Sequence, residues 1–161
     1  MKLDIEIKDL LNAVDVPAQW VGLREVYEAH TPRMIRDGVP VANGRSATHG
    51  LMVEVLANGQ FGYYGTPDMT PQGVARAAQK AYKQAQIASQ HSIYAFDETA
   101  RPSFQGNYQS PYTKDRDSLS AGNLNTLLLE AYNQLKVSDK IVSASSLCQV
   151  IETSFRFVSS N

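Results

Sequence analysis

Three histidines, His30, His49 and His91, are the first residues in this chain that could do chemistry. A helical zinc-protease signature needs two histidines one turn apart with a glutamate between them, so that both rings reach one ion. No such pair is present. Glu28 and His30 lie two apart on a predicted strand, which puts both on one side. With a third ligand from elsewhere they could hold a metal; the other reading is an exposed glutamate and a surface histidine near a strand end. His49 precedes a glycine at a strand start, and His91 follows a helix, where its partial positive charge suits the C-terminal dipole. Ser143, Ser145, Ser146, Ser154, Ser159 and Ser160 crowd the C-terminal strands, but none sits in a Gly-x-Ser-x-Gly elbow. Gly59, Gly62 and Gly65 are spaced for a hairpin and are not followed by a phosphate-binding turn with lysine. Cys148 is the single cysteine, so no internal disulfide closes. Its neighbours Leu147, Val150 and Ile151 predict a buried thiol in a strand. The residues assign no catalytic group and no metal ligand within this chain.

The elements that would position these groups belong to one ordinary-sized core. A chain of 161 residues with 43% apolar and 19% charged side chains fits a single domain spanning residues 1–161. A formal charge of −1 argues against nucleic acid as a partner, because neutralising phosphates needs a clustered positive excess. Arginines between Arg24 and Arg45 are nearly cancelled by Glu25, Glu28 and Asp37, as in a solvated ladder of mixed charge. The N-terminus alternates charge with Leu and Ile instead of forming an apolar signal region, and no stretch is long enough to span a membrane. A cytoplasmic protein with no membrane contact is the expectation.

The pattern predicts an α+β fold: an antiparallel or mixed sheet built from hairpins, two main helices packed on one face, and a short N-terminal helix. Leu3, Ile7, Leu10 and Leu11 share a helical face over residues about 4 to 13. Residues 20–28 are rich in strand formers, with Pro32 marking a break or an edge position. Asp37-Gly38 and Asn58-Gly59 are two-residue hairpin turns, because type I′ geometry needs positive φ. With Asn58-Gly59 as the loop, Ala57 faces Gln60, Leu56 faces Phe61, Glu54 faces Tyr63 and Val53 faces Tyr64. One face then carries Leu51, Val53, Val55, Ala57 and Tyr64 and should take the helices. The other carries Met52, Glu54, Leu56, Phe61 and Tyr63, a mixed face suited to partial cover by a loop or a partner.

Thr70 as N-cap and Pro71 at the first helical position start a helix with Val74, Ala78, Ala81, Ala85 and Ala88 on one face. His91 to Asp117 is a long connection holding Tyr94, Phe96, Phe104, Tyr108 and Tyr112. So many aromatics predict a segment packed down across the domain, or one lining a peptide groove. Ser118 or Ser120 caps a second helix with Leu124, Leu127, Leu128, Ala131 and Leu135 buried. From Lys140 onward the pattern reads as strand, folding back between Gln149 and Thr153 into a last strand through Phe155, Phe157 and Val158.

The ordered set Arg36-Asp37-Gly38-Val-Pro, Gly50-Leu-Met-Val-Glu-Val-Leu, Asn58-Gly59-Gln-Phe-Gly-Tyr and the Thr70-Pro71 helix start resembles the TldD/PmbA family. The closing Phe157-Val-Ser-Ser-Asn161 is similar as well. The resemblance covers essentially the whole chain from about Trp20. It implies the N-terminal domain of a two-subunit metalloprotease that matures peptides and degrades small or unfolded proteins, a family also described as modulators of DNA gyrase. It further implies a TldD/PmbA-like partner subunit, and zinc held by a His-Glu-x-x-x-His motif in a downstream region of the active subunit that this chain lacks. No cofactor is then expected in this chain. Its expected role is to shape the substrate passage and the subunit interface, with Phe61, Tyr63, Tyr94, Phe104 and Tyr108 as the candidate surface. The rival readings are a stand-alone protein-binding or adaptor module, and a metalloenzyme built on His30, His49 or His91.

Overall fold

The computed structural model describes residues 6–101, 103–113 and 118–161. Leu3 of the predicted first helix, and residues 102 and 114–117 of the long connection, lie outside them. Among the described residues the fold is α+β, an antiparallel sheet of five strands with three α-helices. In chain order these are α1 (Ile7–Leu11), β1 (Trp20–Arg36), β2 (Val39–Asn43), β3 (Ser46–Ala57), β4 (Gln60–Thr66), α2 (Pro71–Ser89), α3 (Ala121–Leu135) and β5 (Ser145–Ser159), with a 3₁₀ turn at Glu98–Ala100. The strand order is β2-β1-β3-β4, and β5 pairs with β1.

The chain divides into two compact units, one of Met1–Tyr27, Thr48–Gly106 and Thr153–Asn161, the other of Glu28–Ala47 and Asn107–Glu152. In the first unit the β3–β4 hairpin has the register the turn dictates, from Ala57↔Gln60 to Leu51↔Thr66. Asn58 and Gly59 both take positive φ, at 52° and 72°. Leu51, Val53, Val55 and Ala57 are buried against Val74, Ala77, Ala78, Ala81 and Ala85 of α2, with Ile7 and Leu10 of α1 in the same cluster. Thr70 caps α2 by accepting the Gly73 N–H at 3.1 Å, with Pro71 next.

In the second unit, Asp37 (φ 50°) and Gly38 (φ 80°) turn β1 into β2. A small cluster of Ile35, Leu128 and Tyr132 is its core, with Ala144 and Cys148 packed on it. Cys148 is half-buried, not enclosed.

Four expectations are corrected here. β1 runs through Pro32 without a break, and the Pro32 carbonyl accepts the Gly44 N–H. On α3, Leu127 and Leu135 are exposed and Tyr132 is buried instead, because the buried stripe is only wide enough for one residue per turn. The C-terminal segment does not fold back. β5 is one strand from Ser145 to Ser159, since no Gly, Pro, Asn or Asp interrupts Gln149–Thr153. Its start is delayed because the Asp37 carboxylate accepts the Ala144 N–H and the Ser143 hydroxyl, each at 3.0 Å. Finally, the long connection is packed down only in its first part, where the Phe96 N–H bonds the Gly59 carbonyl and Arg101 bonds Glu54; Phe104, Tyr108 and Tyr112 are exposed.

Candidate interaction surface

Glu54 is the residue around which the mixed face of the hairpin is organised. It points away from the α2 side of the sheet yet is only 3% exposed, and a carboxylate so placed needs a cation. Two arginines supply it. Arg101 donates from Nε to Oε2 at 3.2 Å, and an Arg24 Nη2 lies 3.5 Å from Oε1. The Arg101 guanidinium also donates to the Tyr63 hydroxyl at 3.1 Å and lies 4.5 Å above the Phe61 ring, within cation–π range.

Aromatic rings extend from this centre. Phe61 lies 6.1 Å from Trp20, 6.2 Å from Tyr63 and 5.6 Å from Phe96, and Trp20 stacks on Phe157 at 6.2 Å. Tyr94 meets Phe96 edge-on at 5.1 Å. The backbone holds that end in place: the Phe96 N–H donates to the Gly59 carbonyl at 2.8 Å, and the Gln60 side-chain amide donates to the Tyr94 carbonyl.

The structure therefore brings together three of the five residues singled out from sequence, Phe61, Tyr63 and Tyr94. Phe104 and Tyr108 are not part of the group; their side chains are 86% and 85% exposed, and Tyr108 belongs to the second unit. Phe96 belongs to the aromatic connection that the sequence also offered as a groove lining; Trp20, Arg24, Arg101 and Phe157 were missed. One signal was available. An acid in the middle of the apolar run Leu51–Ala57 calls for a buried cation, though nothing in the sequence says which arginine supplies it.

A second charged group lies in the same unit. Glu25 is 6% exposed, accepting from His49 Nε2 at 2.8 Å and from Arg156 Nε at 2.5 Å. Burial works to raise the Glu25 carboxyl, but the hydrogen bonds and charges of Arg156 and His49 outweigh it and hold the pKa below the ordinary glutamate value. The Glu25 hydrogen bond in turn raises Arg156. The Tyr27 ring stands edge-on to His49 at 5.8 Å. The group ties β1, β3 and β5 to one another.

His30 is engaged at both ring nitrogens, by Glu28 at 2.6 Å and Gln149 at 3.0 Å. Among the described residues no three His, Cys, Asp or Glu side chains gather to hold an ion. Among the same residues no helix is long and apolar enough to cross a membrane.

Comparison with known proteins agrees with the motif order. Residues 22–85 match the model of PmbA/TldA metallopeptidase domain 1. No curated protein sequence matches the chain. Three solved structures share the fold at low identity. A candidate modulator of DNA gyrase from Bacteroides thetaiotaomicron superposes with a TM-score of 0.71 at 16% identity, over 99% of this chain and 38% of the other. A second candidate modulator, from Thermotoga maritima, gives 0.63 at 11% identity over 88% and 31%. TldE from Thermococcus kodakarensis gives 0.60 at 12% identity over 96% and 34%. The chain thus spans about a third of the length of the structures it matches, from 31% to 38%. The match over residues 22–85 and the shared fold together support a first domain of the PmbA/TldD type.

Proposed function

We propose that residues 1–161 serve as one domain, the first of a peptide-processing metalloprotease subunit or of its non-catalytic partner. In this reading the domain positions peptide or unfolded-protein substrate and forms part of the subunit interface. Zinc and hydrolysis belong to a region outside this chain, the partner is a TldD/PmbA-like subunit, and the complex works in the cytoplasm. The observation that carries the reading is the aromatic face fixed by Arg101: Phe61, Tyr63, Phe96 and Tyr94 on a buried Glu54–arginine support. Rings held rigid on a sheet bind at low entropic cost, the property that makes aromatic residues and arginine dominate protein interfaces.

The test uses the full-length subunit with its partner. Tyr63→Ala, whose side chain is partly exposed, and the Phe61→Ala/Tyr63→Ala double variant are expected to lower peptide cleavage or subunit assembly by about tenfold, on the scale of a binding hot spot. Unchanged cleavage and assembly in folded variants would remove the assignment.

A further inference from the structure

Among the described residues β4 ends the sheet: it pairs with β3 on one side and with no strand on the other. Backbone groups along an antiparallel strand alternate between facing the partner and facing away. Tyr63 marks the outward set, since its N–H donates to the Gln84 side-chain oxygen of α2 at 3.2 Å instead of to β3. Phe61 and Gly65, two residues either way, belong to the same set. The edge from Phe61 to Gly65 therefore presents a row of outward donors and acceptors, the arrangement that templates an added strand. The protein already uses the start of this edge in that manner, where the Phe96 N–H bonds the Gly59 carbonyl. Beyond it, one glutamine side chain stands in for a peptide carbonyl at Tyr63. Nothing lies within 4 Å of a β-carbon built on Gly65, so the sheet face beside that end of the edge is uncovered.

Charge selects the occupant. α2 has 19 residues, with Arg76, Lys80 and Lys83 and no acidic residue. Arg76, Lys80 and Gln84 recur at i, i+4 spacing and so form one row on the helix. Two members of that row flank β4: Gln84 bonds the Tyr63 N–H, and Lys80 donates to the Tyr64 hydroxyl at 2.8 Å with its ammonium 4.5 Å from that ring, whereas Arg76 pairs with Asp68 at 2.5 Å. Side chains of an added strand alternate between the two sheet faces, so every second one reaches the level of Lys80. We propose that the β4 edge from Phe61 to Gly65 is a docking site for an extended acidic peptide, which adds as a strand beside β4 and displaces the Gln84 side chain from Tyr63. This deepens the peptide-handling reading and rests on it. Main-chain bonds give such a site tolerance of sequence, and Lys80 gives it a preference for acid.

The full chain is titrated with a short fluorescein-labelled peptide of alternating glutamate and valine, followed by anisotropy. The same peptide with every amide N-methylated is expected to bind at least about tenfold more weakly, and a lysine–valine counterpart likewise. Gly65→Pro removes an outward N–H without touching the β3 ladder and is expected to weaken binding by a similar factor. Lys80→Glu is expected to reverse the preference between the acidic and basic peptides. Equal binding of the N-methylated peptide, which involves no variant, overturns the proposal, as does an absence of binding by the unaltered chain. Self-association through β4, seen as a concentration-dependent mass that Gly65→Pro abolishes, overturns it in favour of a second copy as occupant. If Tyr63→Ala slows cleavage in the full complex while Gly65→Pro leaves peptide binding and cleavage intact, strand docking falls and peptide handling stands. If neither variant has an effect, both fall.

Discussion

Gly62 of β4 and Ala81 of α2 approach backbone to backbone: a β-carbon built on Gly62 would stand 1.9 Å from the Ala81 carbonyl oxygen and 2.8 Å from the Ala85 nitrogen. Neither atom can swing aside, because both belong to the helix ladder. The alanine stripe of α2 exists to permit this approach, and the glycine completes it. Gly62→Ala is therefore expected to push α2 off the sheet and to cost about 3 kcal/mol or more, at the upper end of overpacking effects. The check is the midpoint of chemical denaturation; a midpoint equal to that of the unaltered chain would show that the contact is not needed.

Much of this packing was legible from residues alone. Asn58-Gly59 fixes the hairpin register, and the register then sorts Leu51, Val53, Val55 and Ala57 to one face and Glu54, Phe61 and Tyr63 to the other. Thr70-Pro71 fixes the start of α2. What could not be read depends on contacts distant in sequence. Arg101 joins Glu54 across 47 residues, and Asp37 takes the Ala144 N–H across 107. The same Asp37 contact delays β5, although Val142 and Ala144 continue the alternation of the strand beyond them. Aromatic content misled at Phe104, Tyr108 and Tyr112 but not at Phe96, since hydrophobicity alone does not say whether a ring meets its own chain or something else.

Glu25 gives the fold an acid-sensitive point. Its folded-state pKa lies below the ordinary glutamate value of 4.5, so its contribution is fully present above that value and is lost as pH falls through the lower, folded value. Stability measured by thermal melting is expected to decline as pH drops below about 4.5, and Glu25→Gln should flatten that part of the profile. At neutral pH the same variant is expected to cost about 1.5–3 kcal/mol, the range for hydrogen bonds to charged groups. A Glu25→Gln chain with the same acid profile as the unaltered one would place the acid sensitivity elsewhere.

Thr70 is expected to matter as a cap and not as part of any site. Its hydroxyl accepts the Gly73 N–H at 3.1 Å and donates to Asp68 Oδ1 at 2.6 Å. That hydroxyl bond is the main reason the Asp68 carboxyl is held below its ordinary range. Thr70→Ala removes both bonds, whereas Thr70→Ser keeps them. The alanine variant should lose about 1 kcal/mol and the serine variant almost nothing, read from denaturant midpoints. Equal losses would mean that the methyl packing of Thr70, not its oxygen, sets the start of α2.

The Glu54–Arg101 pair separates support from surface. Arg101→Ala leaves the enclosed Glu54 carboxylate with Arg24 alone, and removing one partner of an enclosed pair costs more than the pair contributes. Glu54→Gln/Arg101→Ala should accordingly be less destabilised than the sum of its single variants, with a coupling of about 1 kcal/mol or more in a double-mutant cycle. Arg101 also holds the Phe61 and Tyr63 rings, and Phe96 packs on Phe61. Amide hydrogen exchange at Phe96, whose N–H bonds the Gly59 carbonyl, is therefore expected to speed up in Arg101→Ala while exchange at Val53 and Val55 stays slow. Additive energies together with unchanged exchange at Phe96 would show that Arg101 lies over the rings without holding them.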